Sequence, residues 1–175
     1  MTMKHSNETE GPAQGDGRRL SVSVLASGSR GNATYISDGR TAILIDAGLS
    51  GVEIQRRMAR KGLDPGSLNA ILVSHEHADH IHGVGVLSRR FGLTVYINDG
   101  TRQASGKALG KLHGIFPFSC GHAFSIGSLA IHPFSISHDA EDPSGFTISC
   151  NGAKVGVATD PVSYTHLRAH ETAYT

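Results

Sequence analysis

The stretch ILVSHEHADHIHG, residues 71–83, places several metal-ligating side chains directly behind a run of apolar residues. It holds four histidines, one glutamate and one aspartate. On a helix, side chains two positions apart point roughly 200° apart, so His75 and His77 could not share an ion there. In an extended loop that leaves a buried strand, both imidazoles can face one side. We therefore predict a strand followed by a loop, and not a helix.

Asp79 and His80 continue the segment and are expected to turn toward a neighbouring position, which predicts two ions a few ångströms apart. The helical HExxH zinc motif is absent, because position 79 holds aspartate. Aspartate is a hard anionic ligand and imidazole suits zinc, iron and manganese, so two divalent ions (Zn, Mn or Fe) are the expected cofactors. The alternative is a polar surface turn with scattered histidines. His82 is a weaker candidate and is expected to support a ligand or face solvent.

Outward from this segment, strands and helices alternate. Ser50 and Glu53 form the pattern of a capping box, which predicts the start of a helix. Gly62 is a suitable end for that helix. Asn151-Gly152 is typical of a tight hairpin turn. The apolar patterns predict strands at 20–26, 33–37, 41–46, 70–74 and 93–97, helices at 83–91 and 100–112, and short strands thereafter. This order indicates an α/β layered domain.

The composition is that of a globular protein with no marked charge. Hydrophobic residues make up 38% of the 175 residues and the formal net charge is +1, so bulk charge does not indicate a nucleic-acid partner. Two cysteines without CxxC spacing make a disulfide framework unexpected. The polar, Gly-rich residues 1–18 predict a disordered lead-in without the apolar core of a signal peptide. No apolar run has the length of a membrane span, and we expect a cytoplasmic protein.

Several motifs together resemble the metallo-β-lactamase-fold superfamily, and within it the YycJ/WalJ-type branch. The matching stretches are LASGSRGNATYI (25–36), LIDAGLSG (44–51), VSHEHADHIHGV (73–84), SHDAEDPSGFTI (137–148) and GVATD (156–160). The resemblance implies a four-layer αββα sandwich, of which residues 19–160 would supply the N-terminal half and the start of the second half. It also implies a nuclease-like hydrolase. The ASGSRG stretch joins two strands and does not open a helix, which argues against a phosphate cradle, although the stretch could still line the site.

The resemblance also implies a set of site residues. The first ion would be bound by His75, His77 and His138. The second would be bound by Asp79 and His80, with Asp160 bridging both, and Asp46 would orient a ligand imidazole without touching metal. Three of these residues have a simpler alternative: a strand-end turn for Asp46, a packed strand-end histidine for His138, and a turn before Pro161 for Asp160. His113, His122 and His132 match nothing and are expected to be ordinary surface or hydrogen-bonded histidines.

The expected chemistry is hydrolysis by a metal-bridging hydroxide, with Asp79 as the residue that holds or accepts a proton. The substrate expected first is a phosphodiester of nucleic acid, cleaved in the manner of a DNA exonuclease. Two alternatives stay open. One is a thioester, lactone or β-lactam hydrolase of the same fold, and the other is a non-catalytic truncated fragment that binds metal.

The sequence departs from the family pattern after Asp160. Family members continue further and supply a later histidine to the second ion, which has no counterpart in the family-like region. Residues 161–175, PVSYTHLRAHETAYT, do not resemble that continuation, and we interpret them as a non-native tail. His166 and His170 follow Asp160 too closely to be good substitutes. Missing strands would expose apolar surface, so aggregation of the chain is expected.

Overall fold

The computed structural model describes residues 19–160. The lead-in predicted for residues 1–18 and the tail predicted for residues 161–175, including His166 and His170, lie outside the described residues. None of the helices between residues 19 and 160 combines the length and hydropathy needed to cross a bilayer.

The first sheet has six strands, and the strand order across it follows the order along the chain. The strands are β1 (Ser21–Ala26), β2 (Ala33–Ser37), β3 (Ala42–Ile45), β4 (Ala70–Leu72), β5 (Thr94–Asn98) and β6 (Gly114–Phe118). β1, β2 and β3 pair antiparallel, whereas β3, β4, β5 and β6 pair parallel. Every residue of β3 and β4 is buried, as their continuous apolar runs predict.

The second sheet has four antiparallel strands in the order β10-β9-β8-β7. They are β7 (Phe124–Ile126), β8 (Leu129–Ser135), β9 (Ser144–Cys150) and β10 (Ala153–Val157). The predicted turn between β9 and β10 is confirmed, because Asn151 and Gly152 both have positive φ, 49° and 80°. Such angles belong to the type I′ turn, whose twist matches that of the flanking strands.

Four α-helices join these strands: α1 (Gly51–Arg60), α2 (Ala78–Ile81), α3 (Val84–Phe91) and α4 (Asp99–Ser105). The serine half of the predicted capping box is confirmed, since Ser50 Oγ accepts from the Glu53 N–H at 3.3 Å. The helix predicted at 100–112 is wrong in its extent. α4 ends at Ser105, because Gly106 and Gly110 adopt positive φ and turn the chain toward β6.

The first sheet is covered on both faces, which gives the molecule its layers. On one face, Leu44, Ile71 and Val95 pack against α1 and α3. On the other face, Ile43 and Leu72 pack against the second sheet. Within residues 19–160 the layers are therefore helices, first sheet and second sheet, which confirms the α/β sandwich expected from the sequence. The parallel strands β3 and β4 end at the same edge, where ligand sites of such sheets lie.

Some apolar side chains at the sheet edges are exposed. Val22 and Val24 on the edge strand β1 are 38% and 42% exposed, and Ile115 and Phe116 on the edge strand β6 are 47% and 43% exposed. Exposed apolar edges favour association between chains. The aggregation expected from the sequence stays a prediction.

Candidate metal centre

Three loops interlock through backbone hydrogen bonds at the carboxyl ends of β3 and β4. The Asn32 N–H donates to Asp79 O at 2.7 Å, and the Gly48 N–H donates to Asn32 O at 2.8 Å. The Ala47 N–H donates to His80 O at 2.8 Å. Gly48 has no room for a side chain, because a Cβ there would lie 1.5 Å from Asp79 O. These bonds fix the loops before β2, after β3 and after β4 relative to one another.

The histidine segment is extended only in its first part. His75 and His77 lie in the loop after β4, as predicted, but Asp79 and His80 belong to the short helix α2, so the prediction of a continuous extended loop is wrong there. His77 is the N-cap of this helix, and its carbonyl accepts from the His80 N–H at 2.9 Å. Its last residue, Ile81, is buried in the core between the first sheet and the helices.

His75, His77 and His138 form one group of donor atoms, all within 4.8 Å of one another. His77 Nδ1 and His138 Nε2 are 3.2 Å apart although 61 residues separate them in the chain. His75 Nε2 is buried and has no hydrogen-bond partner. An unpaired buried nitrogen costs free energy, and a cation at this point would give it a partner. The group therefore fits a divalent ion.

His75, His80 and Asp160 form a second group that shares the His75 ring. His80 Nε2 lies 2.8 Å from Asp160 Oδ2. Asp79 is next to this group but not part of it. Its Oδ2 lies 3.6 Å from His80 Nε2. The structure thus brings all of the residues predicted as metal ligands to one place, including His138 and Asp160 from distant parts of the chain.

Asp46 sits at the base of the site and determines which ring nitrogens carry protons. Its Oδ2 lies 2.7 Å from His80 Nδ1, so that nitrogen must donate, and in the neutral ring Nε2 keeps the lone pair. Asp46 Oδ2 also accepts from Ser74 Oγ at 2.7 Å. Because the only hydroxyl proton of Ser74 is used in that bond, Ser74 Oγ must accept from His75 Nδ1, which lies 3.0 Å away. Both histidines thereby present Nε2 as a ligand atom.

The protonation of the two buried histidines follows from their surroundings. Burial, with a smaller contribution from His80, lowers the pKa of His75 to about 4, so its ring is neutral near pH 7, the form that binds metal. Burial also lowers the pKa of His80, but the hydrogen bond and charge of Asp46, with Asp79 and Asp160, outweigh it and the net pKa is raised. Neutral His80 would point its Nε2 lone pair at the Asp160 carboxylate, an arrangement that needs a proton or a cation between the two atoms.

Sequence reasoning missed four supporting residues. Asn32 Nδ2 lies 2.9 Å from His80 Nε2 and donates to Asp79 Oδ2 at 3.3 Å. Ser74 links Asp46 to His75, as described above. Glu76 and Asn98 both contact the loop that carries His138. The signal for Glu76 is its position between two ligand histidines, whereas Asn98 has no local signal beyond its place at a strand end.

The remaining histidines among residues 19–160 belong to neither donor group. His82, His113, His122 and His132 are exposed, as expected. A cavity of about 190 Å³ adjoins the second donor group. Its lining includes Ser27, Gly28, Asn32, Asp46, Thr159 and Asp160. The start of the ASGSRG stretch, Ala26 to Gly28, therefore lines this cavity.

The chain is similar in sequence to two curated exodeoxyribonucleases. The exodeoxyribonuclease WalJ of Streptococcus pneumoniae serotype 2 is 41% identical over 142 residues, which cover 79% of this chain and 53% of WalJ. The exodeoxyribonuclease YycJ of Bacillus anthracis is 38% identical over 143 residues, which cover 81% of this chain and 54% of YycJ. The chain thus spans about half the length of the curated relatives it matches, and the resemblance to YycJ/WalJ-type proteins is confirmed.

A solved structure and a family sequence profile also match this chain. The metallo-beta-lactamase fold protein YhfI from Bacillus subtilis superposes with a TM-score of 0.65 at 18% identity, covering 79% of this chain and 61% of YhfI, which is a likeness of fold. The sequence profile of the Metallo-beta-lactamase superfamily matches residues 26–161. From the match to this profile and the fold it shares with YhfI, we conclude that the chain belongs to the metallo-β-lactamase superfamily.

Proposed function

We propose that this chain carries the metal centre of a metal-dependent hydrolase that cleaves phosphodiester bonds of nucleic acid, in the manner of a DNA exonuclease. The observation that carries the proposal is the meeting of two overlapping donor groups around His75, whose buried Nε2 has no other partner. The proposed ligands of the first ion are His75, His77 and His138. Those of the second are Asp79 and His80, with Asp160 between the two ions.

Two divalent ions, zinc, manganese or iron, would lower the pKa of water toward neutrality and offset charge on the reacting phosphoryl group. The chain's own contribution is to hold the ligands and manage protons. Asp46 keeps His75 and His80 in the tautomers that ligate, acting on His75 through Ser74. Asp79, with a side chain 29% exposed beside the second donor group, is proposed to hold or accept a proton.

The charge around the site supports a role for cations in binding a polyanion. Segments 74–80 and 137–142 contain five carboxylate side chains and no lysine or arginine. Without cations, these carboxylates would repel a phosphate backbone. The choice of nucleic acid is supported by the relatives WalJ and YycJ, both named exodeoxyribonucleases. A cytoplasmic location is also part of the proposal, and two cysteines without CxxC spacing are compatible with it.

The test is replacement of His77 by alanine in the full chain, with His82→Ala as the matched control on an exposed histidine. We expect elemental analysis to find two ions per chain in the unsubstituted protein and in the control, and fewer in His77→Ala. We expect hydrolysis of end-labelled DNA to follow the metal content, with no hydrolysis of a thioester or of nitrocefin. Two bound ions and full activity in His77→Ala would refute the ligand assignment. Cleavage of an acyl substrate without cleavage of DNA would support an acyl-bond hydrolase, and one ion or none without turnover would support a non-catalytic fragment.

A further inference from the structure

The loop between β8 and β9 carries His138 to the site, and the structure holds it there at several points. It leaves β8 at Ser135 and enters β9 at Ser144. At its end, the Ser144 N–H donates to Ser74 O at 2.9 Å, next to the ligand His75. His138 is distant in sequence from the histidine segment. Its position at the site therefore depends on the contacts that hold this loop.

Glu76 makes one of these contacts from inside the histidine segment. Its Oε1 accepts from the Glu141 N–H at 2.8 Å. Since Glu76 stands between His75 and His77 in the chain, this hydrogen bond joins the backbone of the His138 loop directly to the segment that holds the other two histidines. A backbone amide held by a carboxylate makes one of the stronger hydrogen bonds in proteins.

Asn98 makes a second contact from the end of β5. Its Nδ2 donates to Asp142 O at 2.6 Å, while its Oδ1 accepts from the Thr101 N–H at 2.7 Å and caps α4. Asn98 is 2% exposed; its bond with Thr101 is buried and its bond to Asp142 O is partly buried. The contact between α4 and the loop is close, because a Cβ at Gly100 would lie 2.8 Å from Asp142 Cβ.

We propose that Glu76 and Asn98 form a clamp on residues 141 and 142 that positions His138 as a metal ligand. The proposal rests on the metal centre described under Proposed function. Without the clamp, fewer contacts would hold the His138 loop, and part of the free energy of ion binding would be used to order it. Neither residue binds metal in this proposal; both act through His138.

A different explanation for Glu76 is that its negative charge attracts the cations. The two explanations make opposite predictions for Glu76→Gln, which keeps an oxygen acceptor for the Glu141 N–H and removes the charge. Glu76→Ala removes both. In the same way, Asn98→Asp keeps the oxygen that caps α4 and removes the donor to Asp142 O.

The experiment is a Co²⁺ titration of the full chain, followed by the visible absorption of the bound ion, for six proteins. They are the unsubstituted chain, Glu76→Ala, Glu76→Gln, Asn98→Asp, His138→Ala and the double variant Glu76→Ala/His138→Ala. We expect Glu76→Ala and Asn98→Asp to weaken Co²⁺ binding by about tenfold or more, and Glu76→Gln to stay within about threefold of the unsubstituted chain. The double variant should bind like His138→Ala, because a clamp has no effect once His138 is gone.

Several outcomes would overturn the clamp. These are unchanged affinity in Glu76→Ala, equal weakening in Glu76→Gln, or additive losses in the double variant. If Glu76→Ala does not fold, as judged by urea unfolding, Asn98→Asp decides the question by itself. Failure of the unsubstituted chain to bind Co²⁺ would instead refute the metal centre, and the clamp with it.

Discussion

At the scale of single residues, Asp46 has the widest influence on the site. It follows β3, has a φ of 59° and is fully buried. Its two oxygens accept from the Ser74 N–H, the Ser74 hydroxyl and His80 Nδ1. The sequence allowed two interpretations of Asp46: a turn residue at the end of a strand, or a carboxylate that orients a ligand imidazole. The structure combines them, since the turn points the carboxylate under the two imidazoles.

Replacement of Asp46 by asparagine tests this influence with little change in shape. Asparagine tolerates a positive φ and keeps one oxygen, but its amide nitrogen would face a proton on His80 or Ser74. We expect Zn²⁺ affinity to fall by about 10–100-fold, the usual effect of losing such a supporting group. Competition titration with a chromogenic chelator measures the affinity, and Asp64→Asn, at an exposed aspartate before Pro65, is the control. Equal affinity in the two variants would contradict the role.

At the scale of elements, the site depends on how closely three loops approach one another. Gly48 is the point of closest approach, with Asp79 O and Asn32 N at 1.5 Å and 2.7 Å from the position of a Cβ. Backbone atoms cannot rotate away as side chains do. The helix α2, with Asp79 and His80, would therefore have to move if residue 48 carried a side chain.

Gly48→Ala should consequently reduce both stability and metal affinity. We expect the free energy of unfolding to fall by about 3 kcal/mol, at the upper end of the cost of overpacking. The matched control is Gly62→Ala, where φ is 68° and nothing lies within 4 Å of a Cβ. That change should cost about 1 kcal/mol through backbone strain and leave Zn²⁺ affinity unaltered. Urea unfolding and metal titration of both variants provide the measurement, and similar metal affinities in the two would count against the interlocked loops.

At the scale of the whole molecule, a buried polar contact joins the two sheets beside their apolar core. Asp38, 3% exposed, turns the chain between β2 and β3 by accepting from the Arg40 and Thr41 N–H groups at 2.9 Å and 2.8 Å. Its other oxygen accepts from Ser128 Oγ and from Cys150 Sγ, both in the second sheet or its turns. Burial raises the pKa of Asp38, but these hydrogen bonds outweigh it and hold the pKa well below its ordinary value.

Asp38→Asn should therefore destabilise the protein in a pH-dependent way. A carboxylate whose pKa is lowered by folding contributes stability above its unfolded pKa of about 4, and this contribution is lost as the pH falls toward the folded pKa. We expect the variant to unfold with about 1–3 kcal/mol less free energy at pH 7. The difference from the unsubstituted protein should shrink as the pH falls below about 4. Urea unfolding at pH 7 and pH 3 checks this, with Asp99→Asn as an exposed control. A difference that is the same at both pH values would contradict the assignment.

Local chemistry allowed the sequence by itself to determine the buried strands, the Ser50 cap, the Asn151-Gly152 turn and the clustering of ligands after β4. Each depends on residues within a few positions of one another. The sites of His138, Asp160 and Asp46 were identified by family resemblance, because nothing in their own neighbourhoods distinguishes a ligand from a turn residue. Only the tertiary structure decided that Asp79 and His80 lie on a helix and that Asn32, Glu76 and Asn98 support the site. The Glu76 and Asn98 contacts join segments brought together by the packing of two sheets, and the Asn32 contacts join loops at one edge of the first sheet. No local pattern along the chain encodes which groups will then face one another.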